Sequence, residues 1–228
     1  MKIKTLLGFT LSEVLITLGI IGVVAVMTIP VLMTKFAKSR TETQLKTFYS
    51  KINQTVKMSV AENGDPEGWI TPNKVYNYEE NVEFLKTYFL PYMKTLGYEE
   101  CLNNNKQFGV CIYLLDGGLM WFSIDENGGD ISYWTDINKA LDKYKNNNKN
   151  IPNITRYFFR FQFAKFTNSE KSKELKSTQY VEPYIYGWNG TREGLKSTIY
   201  GCAKSASGSY CTKLIQMSDW KIPKDYPW

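Results

Sequence analysis

Histidine is absent from this 228-residue chain. Without an imidazole there can be no Ser-His-Asp or Cys-His nucleophilic site and no HExxH zinc site, and the usual proton shuttle near neutral pH is missing. Cysteine is scarce. Cys101, Cys111, Cys202 and Cys211 are the whole supply, and none belongs to a CxxC redox or zinc knuckle. No phosphate-binding glycine loop, nucleophile elbow or metal-ligand spacing occurs either, so an enzyme is not expected. Charge of one sign is also in short supply. The net charge is +6, two units of which come from Lys2 and Lys4, and the rest is spread along the chain. No arginine-aromatic patch accompanies it, and a nucleic-acid partner is not expected.

What is present starts at the N-terminus. Lys2 and Lys4 precede Gly8-Phe9, and an apolar run follows to Ile29 and then Pro30. As a helix, residues 9–29 would span roughly 32 Å at about 1.5 Å per residue, about the thickness of a bilayer's hydrocarbon core. The run is too long for the core of a secretory signal, and Met27-Thr28-Ile29-Pro30 is a poor signal-peptidase site. A membrane anchor fits it. One acid, Glu13, sits in the first turn. An ionised acid in a bilayer costs roughly 2.5–3.5 kcal/mol, so it needs a reason to be there. Thr10-x-x-Glu13 is a capping-box pattern and supplies one reason. Pro30 is expected to end or kink the helix. Beyond it, Leu45, Phe48, Tyr49, Ile52, Val56 and Val60 recur at three and four residues, the mark of a helix with one buried face. Gly64-Asp65-Pro66 is expected to stop it.

Gly8-Phe9-Thr10-Leu11-Ser12-Glu13, with Gly22 and Pro30 further along the apolar run, resembles the N-terminal signal of type IV prepilins and type II secretion pseudopilins. The likeness is close over about the first 30 residues. It implies a substrate of prepilin peptidase, cut after Gly8 on the cytoplasmic side and N-methylated at Phe9. It also implies that Glu13 pairs with the Phe9 amine of a neighbouring subunit and sets the register of a filament. The segments implied are a leader over residues 1–8, a transmembrane and filament-core helix over 9–30, an amphipathic continuation over 31–64 and an exported head over 65–228. The location implied is the inner membrane, crossed once, with the N-terminus cytoplasmic. Lys35, Lys38 and Arg40 lie beyond the apolar run and offset the positive-inside signal of Lys2 and Lys4, so that orientation comes from the resemblance. Implied partners are prepilin peptidase, other pilin or pseudopilin subunits, an inner-membrane assembly platform and membrane lipid. The expected function is a structural subunit of a type IV pilus or a type II secretion pseudopilus. The alternative is a minor tip pilin whose head contacts a secretion substrate, DNA or a surface.

The head reads as β-rich. Residues 65–77 are a loop, and residues 78–96 hold Val82, Leu85, Phe89 and Met93 at helical spacing, interrupted by Pro91. Behind a membrane-targeting segment the cysteines suggest two short disulfide loops, Cys101 with Cys111 and Cys202 with Cys211, each contributing about 2–3 kcal/mol. Asn103-Asn104-Asn105-Lys106-Gln107 is the polar tip of the first. Residues 108–115 and 119–124 flank Asp116-Gly117-Gly118 as a hairpin, and residues 131–137 form another strand after a polar turn. The lysine- and asparagine-rich residues 139–150 are expected to be a loop. Residues 155–166 alternate, with Tyr157, Phe159, Phe161 and Phe163 on one face, as a core strand does. Residues 180–188 form an extended segment, residues 192–200 one or two helical turns, and residues 212–220 a short helix. The aromatic residues 221–228 either dock on the head or form an interaction surface. No cofactor is expected. Asp125, Asn127, Asp130 and Asp136 invite a calcium reading, but their order departs from an EF-hand loop and turn chemistry explains them. The fold class is therefore α+β and pilin-like, a long N-terminal helix packed on an antiparallel sheet with short helices.

Overall fold

The computed structural model describes residues 8–102, 108–126, 128–146, 148, 151–163 and 179–228. The expected polar tip at 103–107, the leader lysines and the end of the strand beyond Phe163 lie outside the described residues. The chain divides between Arg40 and Thr41 into two units. Helix α1, Leu11–Asn63, contributes to both.

In the first unit α1 is apolar and exposed, and it is long enough to cross a membrane. The helix does not end at Pro30, which lies inside it. Proline removes one ladder donor, whereas an established helix gains a bond with every residue added on either side. Threonine hydroxyls on both sides bond the backbone, Thr28 Oγ1 donating to the Val24 carbonyl and Thr34 Oγ1 to the Pro30 carbonyl, each at 2.9 Å.

The second unit is an α+β head. Six strands follow as a meander, β1 (Thr95–Leu102), β2 (Phe108–Leu114), β3 (Leu119–Asp125), β4 (Gly128–Trp134), β5 (Phe158–Phe163) and β6 (Val181–Pro183). They pair in sequence order and every pairing is antiparallel. One face carries Val110, Ile112, Phe122, Ile131, Phe159 and Phe161 into a core closed by Leu45, Phe48, Ile52 and Val56 of α1. Phe48 stacks on Tyr133 at 4.2 Å between centroids. Helix α2 (Tyr78–Tyr88) completes this layer with Val82, Phe84 and Leu85. The other face carries Trp121, Trp134 and Phe158 beneath helix α3 (Ile137–Tyr144). Of the expected face of β5, Phe159, Phe161 and Phe163 reach the core, whereas Tyr157 precedes the strand and packs with Phe158 on the reverse.

Several expectations for the head need correction. The helical spacing of residues 78–96 holds only to Tyr88, and residues 95–102 form strand β1, which the expected Cys101–Cys111 bond ties to β2. Residues 137–144 are helix, not loop, because Asp136 accepts from the Asn138 and Lys139 amides and Ile137, Ala140, Leu141 and Tyr144 share one face. Strand β4 accordingly stops at Trp134, and it begins at Gly128, earlier than expected. Residues 192–200 make hydrogen-bonded turns and no helix. Helix α4 (Cys211–Gln216) begins at the second disulfide, Cys202–Cys211. The aromatic tail docks: Tyr226 is buried and donates its hydroxyl to the Thr155 carbonyl, and Glu42 accepts from the Ile222 amide at 2.8 Å.

Candidate processing and assembly segment

Gly8, Phe9 and Glu13 stand at the start of α1. The capping box forms. Glu13 Oε2 accepts from the Thr10 amide at 2.8 Å and from its hydroxyl at 2.7 Å, and the Glu13 amide donates to Thr10 Oγ1 at 3.2 Å. Two amides at the helix start are thereby satisfied, and the N-terminal end of the dipole favours the acid. Glu13 Oε1 has no partner among the described residues. Phe9 is 88% exposed, and the apolar side chains that follow it are exposed as well.

A β-carbon built at Gly8, Gly19 or Gly22 would meet nothing within 4 Å. In a helix interior glycine costs about 1 kcal/mol relative to alanine, so Gly19 and Gly22 weaken α1 where no turn requires them. The contrast is Gly109 in β2, where a β-carbon would lie 2.5 Å from the Trp121 ring.

The head supplies no comparable centre. Among the described residues no group of three or more acidic or cysteine side chains could hold a metal. The calcium candidates are dispersed among structural tasks. Asp136 caps α3, and Asp130 lies in β4 at 3.7 Å from Arg160, its carboxyl pushed up by burial. Asn127 lies outside the described residues. The cysteines are all bridged.

Two residues that the sequence did not single out hold the head together. Asn53 of α1 donates to the Val181 carbonyl and accepts from the Val181 amide, both at 2.9 Å, closing the outer edge of β6. Asn81 of α2 makes the same two-sided contact with the backbone of Ile124 in β3, at 3.3 and 2.8 Å. Both side chains are buried. A buried asparagine on an otherwise apolar helix face is the available signal, since such an amide must find partners.

No curated protein and no solved structure matches the chain. A family model matches residues 31–228, the head and the polar part of α1, starting one residue beyond Pro30. The Gly8-Phe9 segment lies outside that match. On this match the chain belongs to DUF6613, a family of unknown function.

Proposed function

We propose that the chain is a structural subunit and not an enzyme: a prepilin-like protein cut after Gly8, N-methylated at Phe9 and assembled through α1 into a type IV pilus or type II secretion pseudopilus. The carrying observation is an apolar helix exposed over its first unit, headed by Gly8-Phe9 and Glu13, beside a head with a closed core of its own. An exposed apolar face of this length needs a bilayer or other helices as its solvent. Glycines at 19 and 22 with open space around them support close approach of a second helix. The remaining oxygen of Glu13 supports a pairing with the Phe9 amine of a neighbour, because burying both charges is tolerable only when they meet.

The partners that follow are prepilin peptidase, an assembly platform in the inner membrane and further subunits, with the N-terminus cytoplasmic and the head exported. The test is filament assembly by a Glu13→Val variant. The variant should insert in the membrane like the parent, and its yield in the sheared-filament fraction should fall at least tenfold. Equal filament yield would remove Glu13 from assembly.

A further inference from the structure

The head carries a cleft and, elsewhere, a side chain shaped to fill one. The cleft has a volume of about 220 Å³ and lies between α1, the segment before β1 and the β2–β3 turn. Phe48, Ile52, Met93, Leu114 and Leu115 make it apolar, and Leu115 is 58% exposed at its mouth. Lys51 and Lys94 line its rim and make no ion pair among the described residues. Asp116 is also at the rim, but its carboxylate is already committed. It accepts from the Gly118 amide at 2.9 Å and from the Tyr133 hydroxyl at 2.7 Å. Those neutral donors leave its charge in place, and two lysines against one carboxylate make the rim net cationic over an apolar floor.

Ile70 has the complementary character. It is 83% exposed, more than any other large apolar side chain among the described residues of 41–228. Its backbone is held firmly: the Ile70 amide donates to Tyr88 Oη at 3.1 Å, and the neighbouring Trp69 ring is buried and stacked on Tyr88 at 4.3 Å. Just before it, Glu67 is exposed on the single 3-10 turn Pro66–Gly68, with no ion pair among the described residues. A side chain presented on a fixed backbone loses little entropy when it docks. The knob is acidic and apolar, as the cleft is basic and apolar.

We propose that Ile70 of one copy seats in the cleft of the next, with Glu67 facing Lys51 and Lys94. Knob and cleft are different surfaces, so the contact is heterologous and repeats into an open array instead of closing as a dimer. They are also displaced along α1. The cleft takes Phe48 to Thr55, whereas the Ile70 loop is tied by Trp69 Nε1 to the Gly64 carbonyl, 9 residues beyond Thr55 and 16 beyond Phe48. That separation is roughly 14–24 Å at about 1.5 Å per residue. A displacement along the helix suits head-to-tail stacking of subunits whose helices run parallel. The proposal rests on the filament reading and adds the head contact to it.

The test uses full-length chains with two different tags in one cell, one carrying Ile70→Cys and the other Leu115→Cys. Mild oxidation should link the two tags, and neither variant alone should give a linked pair. Lys51→Glu with Lys94→Glu in the Leu115→Cys copy should lower the linked yield about tenfold, and Glu67→Lys in the other copy should restore it. Linking of identical variants as strong as that of the mixed pair would overturn the proposal, as would a charge reversal without effect. A bond from Ile70→Cys to a different protein in place of the second copy would overturn it too. Filaments recovered without the mixed link would overturn the head contact while leaving the filament reading intact; absence of filaments and link together would count against both.

Discussion

Asn53 and Asn81 each give both amide atoms to one residue of the sheet, Val181 and Ile124. Removing either side chain leaves a buried backbone N–H and C=O without partners, and each unpaired group costs about 1–3 kcal/mol. Asn53→Ala and Asn81→Ala should each lower the unfolding free energy by about 2–3 kcal/mol in urea titrations followed by tryptophan fluorescence. A loss below about 0.5 kcal/mol, the size of an ordinary surface change, would contradict this role. Little in the sequence announced it. The apolar positions Leu45, Phe48, Ile52 and Val56 could be read from their spacing, but the partner of Asn53 is 128 residues away. Local pattern carries no information at that distance. At Gly22 the sequence was more informative than the fold, because open space surrounds it. Gly22→Leu should leave folding and insertion unchanged, since no atom of the chain is displaced, and should reduce the sheared-filament yield.

Among the elements, the β2–β3 hairpin was legible because Asp116-Gly117 states its turn: Gly117 takes φ +80°, which glycine adopts without strain, and Asp116 accepts from the Gly118 amide. Helix α3 was hidden by composition. Lysines and asparagines around it read as loop, although Asp136 marks its start and Ile137, Ala140, Leu141 and Tyr144 mark its face. Asp136→Ala should therefore cost about 1 kcal/mol, the usual value of a lost N-cap. An unchanged urea midpoint would show that packing of Tyr144 alone sets the helix. Strand β1 was missed for a different reason. It is an edge strand with Leu96, Tyr98 and Leu102 exposed and a break in register at Gly97, so apolar and polar residues do not alternate by face.

At the scale of the whole molecule, burial of tyrosines makes stability depend on alkaline pH. Burial pushes the Tyr144 hydroxyl up to about 12 from an ordinary value of 10, and it also raises Tyr184 and Tyr226. Tyr49 is raised by burial and by the charge of Glu182 beside it. A raised folded value means that the native state keeps its proton while the unfolded chain releases it. The contribution is complete below pH 10 and is lost as pH climbs towards 12. Urea stability should stay flat up to about pH 9 and then fall by a few kcal/mol by pH 12, with a flat profile contradicting the burial. The α+β class and the exposed N-terminal helix were legible at this scale, because hydropathy and two periodicities suffice for them. What the head touches was not, since docking surfaces depend on atoms brought together from distant segments.

Assembly through α1 turns on one peptide bond, between Gly8 and Phe9. Full-length protein recovered from membranes of cells that contain prepilin peptidase should be analysed by intact mass and N-terminal sequencing, beside the same protein from cells lacking the peptidase. The chain should begin at N-methylated Phe9 in the first case and at Met1 in the second. A chain that keeps Met1 in both, or one cut beyond Pro30, would contradict it.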